Sequence, residues 1–156
     1  MIVLDTHAWF WWVNEPRRLS LPATRAIERA ERLGVSAISV FELADLIERQ
    51  RIRVDAPTRI WIREALADDR VGPLPISTEV ALDAAQVRFA ADPFDQIIYA
   101  TARSEGAHLV TRDERMRAFD SGADGLVAGD CDATSSTGRP MTLGVLQVAY
   151  GVGGRT

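Results

Sequence analysis

The chain has no lysine: all eighteen of its basic residues are arginine. That excludes a Schiff-base mechanism and any phosphate site built on a lysine ammonium. It has one cysteine, Cys131, which excludes an internal disulfide and removes the donors of a cysteine-based zinc site. No apolar run approaches the roughly 20 residues of a membrane span. The N-terminal stretch Met1-Ile2-Val3-Leu4 lacks a basic leader and is interrupted by Asp5. A signal peptide is therefore not expected, and the expected location is cytoplasmic with no membrane partner. Positive charge is in short supply, the net charge being −4. A nucleic-acid binder working through a broad basic surface is disfavoured, although acids gathered at one site can supply much of that negative charge.

The 156 residues, 47% hydrophobic and 26% charged, fit one soluble domain with a sizeable core. Strand and helix patterns alternate from the start. Residues 1–5 read as a buried strand and 7–13 as a short aromatic helix. Ser20 opens a helix that Gly34 closes. A strand covers about 35–39, followed by a helix to about 50. Asp55 and Pro57 open another helix, to about 69. Residues 71–76 form a weak strand, broken by Pro73 and Pro75. Ser77 opens a helix, and Asp92-Pro93 opens the next, ending at Gly106. His108 to Thr111 is a strand, and Asp113 caps a short helix to about Phe119. Alternation of this kind gives βαβ units and a three-layer α/β/α domain with a central parallel sheet.

The character changes after Asp120. Eight of the eleven glycines fall in 121–156, and the run from Cys131 to Gly138 has no core-forming pattern. Residues 1–120 are expected to form the domain and 121–156 a glycine-rich tail. Within that tail only Leu126–Ala128 or Leu143–Val148 is expected to add an edge strand, beside the strand ending at Thr111.

Four acids stand out against this frame. Asp5, Glu42 and Asp113 follow apolar runs, and Asp95 lies in the first turn of a helix. If the runs are parallel strands, all four fall on the carboxyl edge, where open α/β sheets hold ligands. Two carboxylates 4 Å apart repel by about 4 kcal/mol at an effective dielectric near 20. A hard divalent cation removes that cost, and oxygen-only ligands suit Mg²⁺ or Mn²⁺. Each acid also has a plain structural role open to it. Asp5 and Asp113 can cap helices. Ser39-x-x-Glu42 matches a capping box. Asp95 sits where an acid favours the helix dipole. Asp92, before Pro93, suits the N-cap, which leaves Asp95 as the ligand. Thr6 and Thr111 can orient carboxylates. Arg112 and Arg115 can contact phosphate or form a solvated face. The Trp9-Phe10-Trp11-Trp12 block reads as core together with a protein contact, because no basic residue interleaves it.

With these residues placed, the chain resembles the PIN-domain ribonucleases, and among them the VapC-type toxins of type II toxin–antitoxin modules. The matching pieces are Leu4-Asp5-Thr6-His7-Ala8, Ser36 to Ala44, Asp92 to Ala102 and Leu109 to Arg115. The resemblance implies an endoribonuclease dependent on Mg²⁺ or Mn²⁺, with RNA as substrate. It carries over Asp5, Glu42, Asp95 and Asp113 as the catalytic and metal-binding acids and Thr111 as the hydroxyl residue beside the last of them. It also implies a small antitoxin that blocks the cleft. The apolar surface offered by Trp9, Trp12 and Trp61 suggests contact with another chain, either antitoxin or a second copy, and a homodimer is expected. Two departures stand out. Gln96 follows the third acid where the family often has arginine, and 121–156 is unlike the usual short ending, whether as an extension or through a late change of frame. Receiver domains also cluster acids at strand ends but need a lysine. A haloacid-dehalogenase-like phosphatase wants an aspartate where His7 stands. The remaining alternative is a PIN-like module kept for binding without catalysis.

Overall fold

A computed structural model describes residues 1–88, 92–116 and 145–147. Five strands form one sheet: β1 (Ile2–Leu4), β2 (Leu33–Ser36), β3 (Val71–Leu74), β4 (His108–Thr111) and β5 (Val145–Gln147), in the order β3-β2-β1-β4-β5. Every pairing is parallel. Among the described residues, the strands are connected by α1 (Thr6–Asn14), α2 (Leu21–Arg29), α3 (Ala37–Glu48), α4 (Thr58–Ala65), α5 (Thr78–Gln86) and α6 (Pro93–Ser104), with a 3₁₀ turn at Pro16–Arg18. The chain winds outward from β1 to β2 and β3, then returns to lay β4 on the other side of β1. The strand order therefore reverses at β1. This switch point opens a crevice past the carboxyl ends of β1 and β4.

Both faces of the sheet are covered, as its near-continuous apolar strands require. Leu4, Val35 and Val110 pack on one side against Trp9, Ile27, Leu43, Trp61 and Ile62. Val3 and Leu109 pack on the other side against Ile98, Tyr99, Ala102 and Met116 of the α6 layer. Helix α5 lies on α6 through Val80, Ala84 and Ala100. The three-layer α/β/α arrangement read from the sequence is the one observed.

Local chemistry starts and stops the helices. Ser20 accepts from the Ala23 N–H at 3.3 Å, Ser77 from Val80 at 3.2 Å, and Asp92 from Phe94 at 2.9 Å. Pro93 occupies the first position of α6, where no N–H is needed, and Gly106 closes the helix at φ 58. Arg70 places its guanidinium 3.2 Å from the Ile27 carbonyl, a cation at the carboxyl end of α2, and over Trp12 at 5.7 Å.

The structure corrects several boundaries. β2 begins at Leu33 and gives way to helix after Ser36, so Ser39 lies inside α3 and cannot form the capping box with Glu42. The Ser39 hydroxyl is buried without a hydrogen-bond partner. Helix α4 ends at Ala65 rather than near 69. Gly34 is not a helix terminator, because α2 ends at Arg29. It is a strand residue pressed against β3, and a Cβ there would lie 2.6 Å from Leu74 Cδ1 and 3.1 Å from Val3 Cγ2. The aromatic block is mostly core: Trp9 is 0% exposed, Phe10 6% and Trp11 2%, and Trp61 beyond the block is 8% exposed, whereas Trp12 is only partly buried. Of the rings expected to meet a second chain, Trp9 and Trp61 therefore offer no apolar face, and Trp12 keeps part of its surface. Arginines do meet the block from elsewhere in the fold, with Arg18 and Arg112 lying 4.8 and 5.3 Å from the Trp11 ring centre. Of the tail, Val145–Gln147 is the parallel edge strand beside β4. Leu126–Ala128 and the expected irregular remainder lie outside the described residues, as does Cys131.

Gly34→Ala is expected to destabilise the fold by about 1–3 kcal/mol through overpacking. Most of that loss should vanish in a Leu74→Ala background, where the clashing methyl is gone. Guanidinium denaturation of the two single variants and the double variant measures it; fully additive losses would show that the contact with Leu74 is not the cause.

Candidate active site

Each proposed acid is held by a different element. Asp5 leaves β1 with its N–H bonded to the Val110 carbonyl at 3.0 Å, which joins the ends of β1 and β4. Its Oδ1 accepts the Ala8 N–H at 2.6 Å as the N-cap of α1. The capping role and the site position thus coincide, and the carboxyl is only 6% exposed. Glu42 lies more than a turn into α3, where its Oε2 accepts a short hydrogen bond from the Thr6 hydroxyl. Thr6 and Thr111 are both buried. The Thr111 hydroxyl accepts the Asp113 N–H at 3.0 Å and fixes the start of the turn after β4. Asp113 accepts from the Arg115 N–H at 2.8 Å and pairs with its guanidinium at 2.9 Å. Asp92 caps α6 through the Phe94 and Asp95 N–H groups. This is the division of labour expected for the two: Asp92 supports the helix and Asp95 faces the other acids.

Asp95 is the focus of the electrostatics. Its carboxyl pKa is pushed from the ordinary 3.8 up to about 7, first by burial and then by the charges of Asp92, Asp113, Glu42 and Asp5. Among the described residues no hydrogen bond or ion pair satisfies this side chain. Glu42 is also raised, first by burial and further by Asp92 and Asp5, against the lowering effect of the Thr6 hydrogen bond. Burial acts to raise Asp113 as well, but hydrogen bonds from the Arg115 side chain and backbone outweigh it and hold the carboxyl below its usual range. The structure thus brings the other three sequence-selected acids, and Asp92, within electrostatic reach of Asp95, and Asp92 and Asp5 within reach of Glu42. They share a field without yet forming a cage: among the described residues no three Asp, Glu, His or Cys side chains are arranged to close around an ion. Glu42 is turned to Thr6, and Asp113 to Arg115.

The arginines take up definite places. Arg115 is committed to Asp113. Arg112 lies against His7 at 3.3 Å and over Trp11. His7 itself meets the Trp11 ring edge-on. Its pKa is lowered by burial and by the Arg112 and Arg18 charges, against the raising effect of Asp5. Gln96 turns away from the acids and donates to the Val87 carbonyl at 3.2 Å. Two features escape sequence reasoning. One is the buried Ser36–Thr101 hydroxyl pair at 3.2 Å, which ties the end of β2 to α6. The other is the contact of Phe41 with Phe94. Both join residues far apart in the chain, and no local spacing announces them.

Fold and site together define a parallel α/β domain with a carboxylate cluster at its topological switch point. The PIN domain family matches residues 2–122, and the chain belongs to that family. It is 44% identical over 119 residues to Ribonuclease VapC22 of Mycobacterium tuberculosis, covering 74% of this chain and 89% of that protein. A toxin–antitoxin complex from Klebsiella pneumoniae contains a chain of similar structure (TM-score 0.58, 21% identity, 76% of this chain and 91% of the other). So does a DNA-bound VapBC from Salmonella typhimurium (TM-score 0.55, 26% identity, 76% and 92%).

Without divalent ions, the Asp95 carboxyl should make stability fall as pH rises. Below about pH 4 both folded and unfolded chains hold the proton; between about 4 and 7 only the folded chain does, so stability drops across that window and is level above it. Glu42 acts in the same sense. His7 acts oppositely, because its charging below 6.5 is disfavoured in the folded chain. The difference between wild type and Asp95→Asn isolates the first effect. The variant is expected to gain on wild type through the window, by about 1–2 kcal/mol at pH 8 once solvent screening is allowed for. Urea midpoints in chelator at pH 4.5 and 8 measure this, and a pH-independent difference would contradict it.

Proposed function

We propose that this chain is a metal-dependent endoribonuclease acting as the toxin of a toxin–antitoxin pair in the cytoplasm. The observation that carries this reading is the Asp95 carboxyl, half-buried among other carboxylates with no hydrogen bond or ion pair to it among the described residues. Such a group is costly in the absence of a counter-charge. The donor set fits a hard divalent ion. Asp5, Glu42, Asp95 and Asp113 offer only oxygens, and the unpartnered Ser39 hydroxyl lies one turn before Glu42 on the same helix. When bound there, Mg²⁺ or Mn²⁺ supplies charge neutralisation and polarisation of a phosphodiester.

The protein's own groups hold the geometry. The α1 N-terminus fixes the Asp5 carboxylate. Thr6 fixes one oxygen of Glu42, and Arg115 with Thr111 fixes Asp113. Thr6 opens α1 just past the end of β1, and Thr111 ends the adjacent β4, so the sheet sets the spacing. An uncompensated acid cluster repels RNA, so substrate approach is coupled to ion binding. The relative named as a ribonuclease and the toxin–antitoxin complexes support RNA as substrate and a small antitoxin as partner. The expected homodimer has to use surfaces other than Trp9 and Trp61, which the monomer buries.

Cleavage of a structured RNA in Mn²⁺, abolished by chelator, tests the reading. Asp5→Asn and Asp95→Asn are each expected to lose at least about 100-fold in rate while remaining folded by circular dichroism. Undiminished cleavage by both variants would overturn the site. Expression of the chain alone is expected to arrest growth, and the Asp5→Asn chain to be tolerated.

A further inference from the structure

The two helices that carry Glu42 and Asp95 also meet one residue earlier on each. Phe41 of α3 and Phe94 of α6 pack edge to face, with centroids 5.8 Å apart and planes at 80°. Phe41 nevertheless stays 56% exposed. Full burial of such a ring stabilises a fold by about 1.5–3 kcal/mol, and here more than half of that is forgone. The contact with Phe94 restrains the Phe41 ring, and near-perpendicular planes leave each ring at least one face that the other does not cover. An aromatic face held open beside a carboxylate cluster calls for a particular occupant. A protein partner burying Phe41 in an apolar contact would also strip water from the neighbouring Glu42, Asp92 and Asp95. A nucleobase needs only the π face, and the phosphate attached to it is the group the acid site takes up.

We propose that the Phe41–Phe94 pair is a stacking platform for an unpaired RNA base next to the phosphate held at the acid cluster, an inference that rests on the ribonuclease reading above. Base–aromatic stacking is tolerant of sequence because every base has a π face. The platform therefore selects for single-stranded segments rather than for a particular base. Inside a duplex both faces of a base are already covered by its neighbours.

The test uses the full chain and a fluorescent 12-nucleotide oligo(A), compared with an abasic strand of equal length and charge, in Ca²⁺. Binding is read by anisotropy. Wild type is expected to bind oligo(A) about 10-fold more tightly than the abasic strand. Phe41→Leu keeps apolar volume against Phe94 but removes the ring face, and it should bring the two affinities together by weakening oligo(A) alone. Phe41→Trp should retain the preference. Unchanged oligo(A) binding by Phe41→Leu, or equal weakening of both strands, would overturn the platform. If that variant instead changes only the sedimentation behaviour, Phe41 is a protein contact and the proposal fails. RNA cleavage by wild type, assayed in parallel, separates the two readings: a chain that cleaves but shows no Phe41 effect loses the platform and keeps the nuclease, and a chain that neither binds nor cleaves loses both.

Discussion

Like-charge repulsion at the carboxyl edge of the sheet is the constraint on which the site depends. Parallel strands all point their carboxyl ends the same way, so residues just past β1 and β4, and those near the N-terminal ends of α3 and α6, come to one edge whether or not their charges agree. There Asp5, Glu42 and Asp113 act on Asp95, and the protein relieves only part of the cost. It gives Asp5 a helix N-terminus, Glu42 a threonine hydroxyl and Asp113 an arginine. Asp95 receives no hydrogen bond or ion pair among the described residues, and burial together with the neighbouring carboxylates holds its proton up to about pH 7.

The scaffold tolerates this because the rest of it is locally consistent. The central strands are buried on both faces, with Val3, Leu4, Leu109 and Val110 all at 0% exposure. Helices α1, α2, α5 and α6 are capped by Asp5, Ser20, Ser77 and Asp92. Asp5 shows how economically the site is built, since one carboxylate oxygen stabilises α1 while the same residue belongs to the acid cluster. Stability and chemistry therefore share residues, and the energetic conflict is confined to one side chain, Asp95.

Much of this was legible in the sequence because the signals are local. Strand-length apolar runs, helix caps at Ser20, Ser77 and Asp92, and the glycine at 106 each act within a few residues. The acids could be selected because each lies beside such a signal. What escaped was non-local. Gly34 looked like a helix terminator because glycine serves both that purpose and close strand packing, and only the neighbouring β3 decides between them. Ser39 and Glu42 have capping-box spacing, but the strand pairing of β2 moves the helix start three residues earlier and leaves Ser39 inside. The core character of the aromatic block was legible in its own segment, but nothing there shows that Arg18, Arg70 and Arg112 come to its rings from outside it. Phe41–Phe94 and Ser36–Thr101 likewise depend on how α3 and β2 meet α6.

The central claim is that burial and the field of neighbouring carboxylates raise Asp95 and that a divalent ion is expected to relieve it. Carboxyl-detected NMR titration of Asp95, in chelator and then in Mg²⁺, tests this most directly. The account predicts a midpoint near pH 7 in chelator and a fall of at least about one unit on adding Mg²⁺, as expected for an opposite charge placed beside a carboxylate. A midpoint close to 4 in chelator, unmoved by the ion, would contradict it.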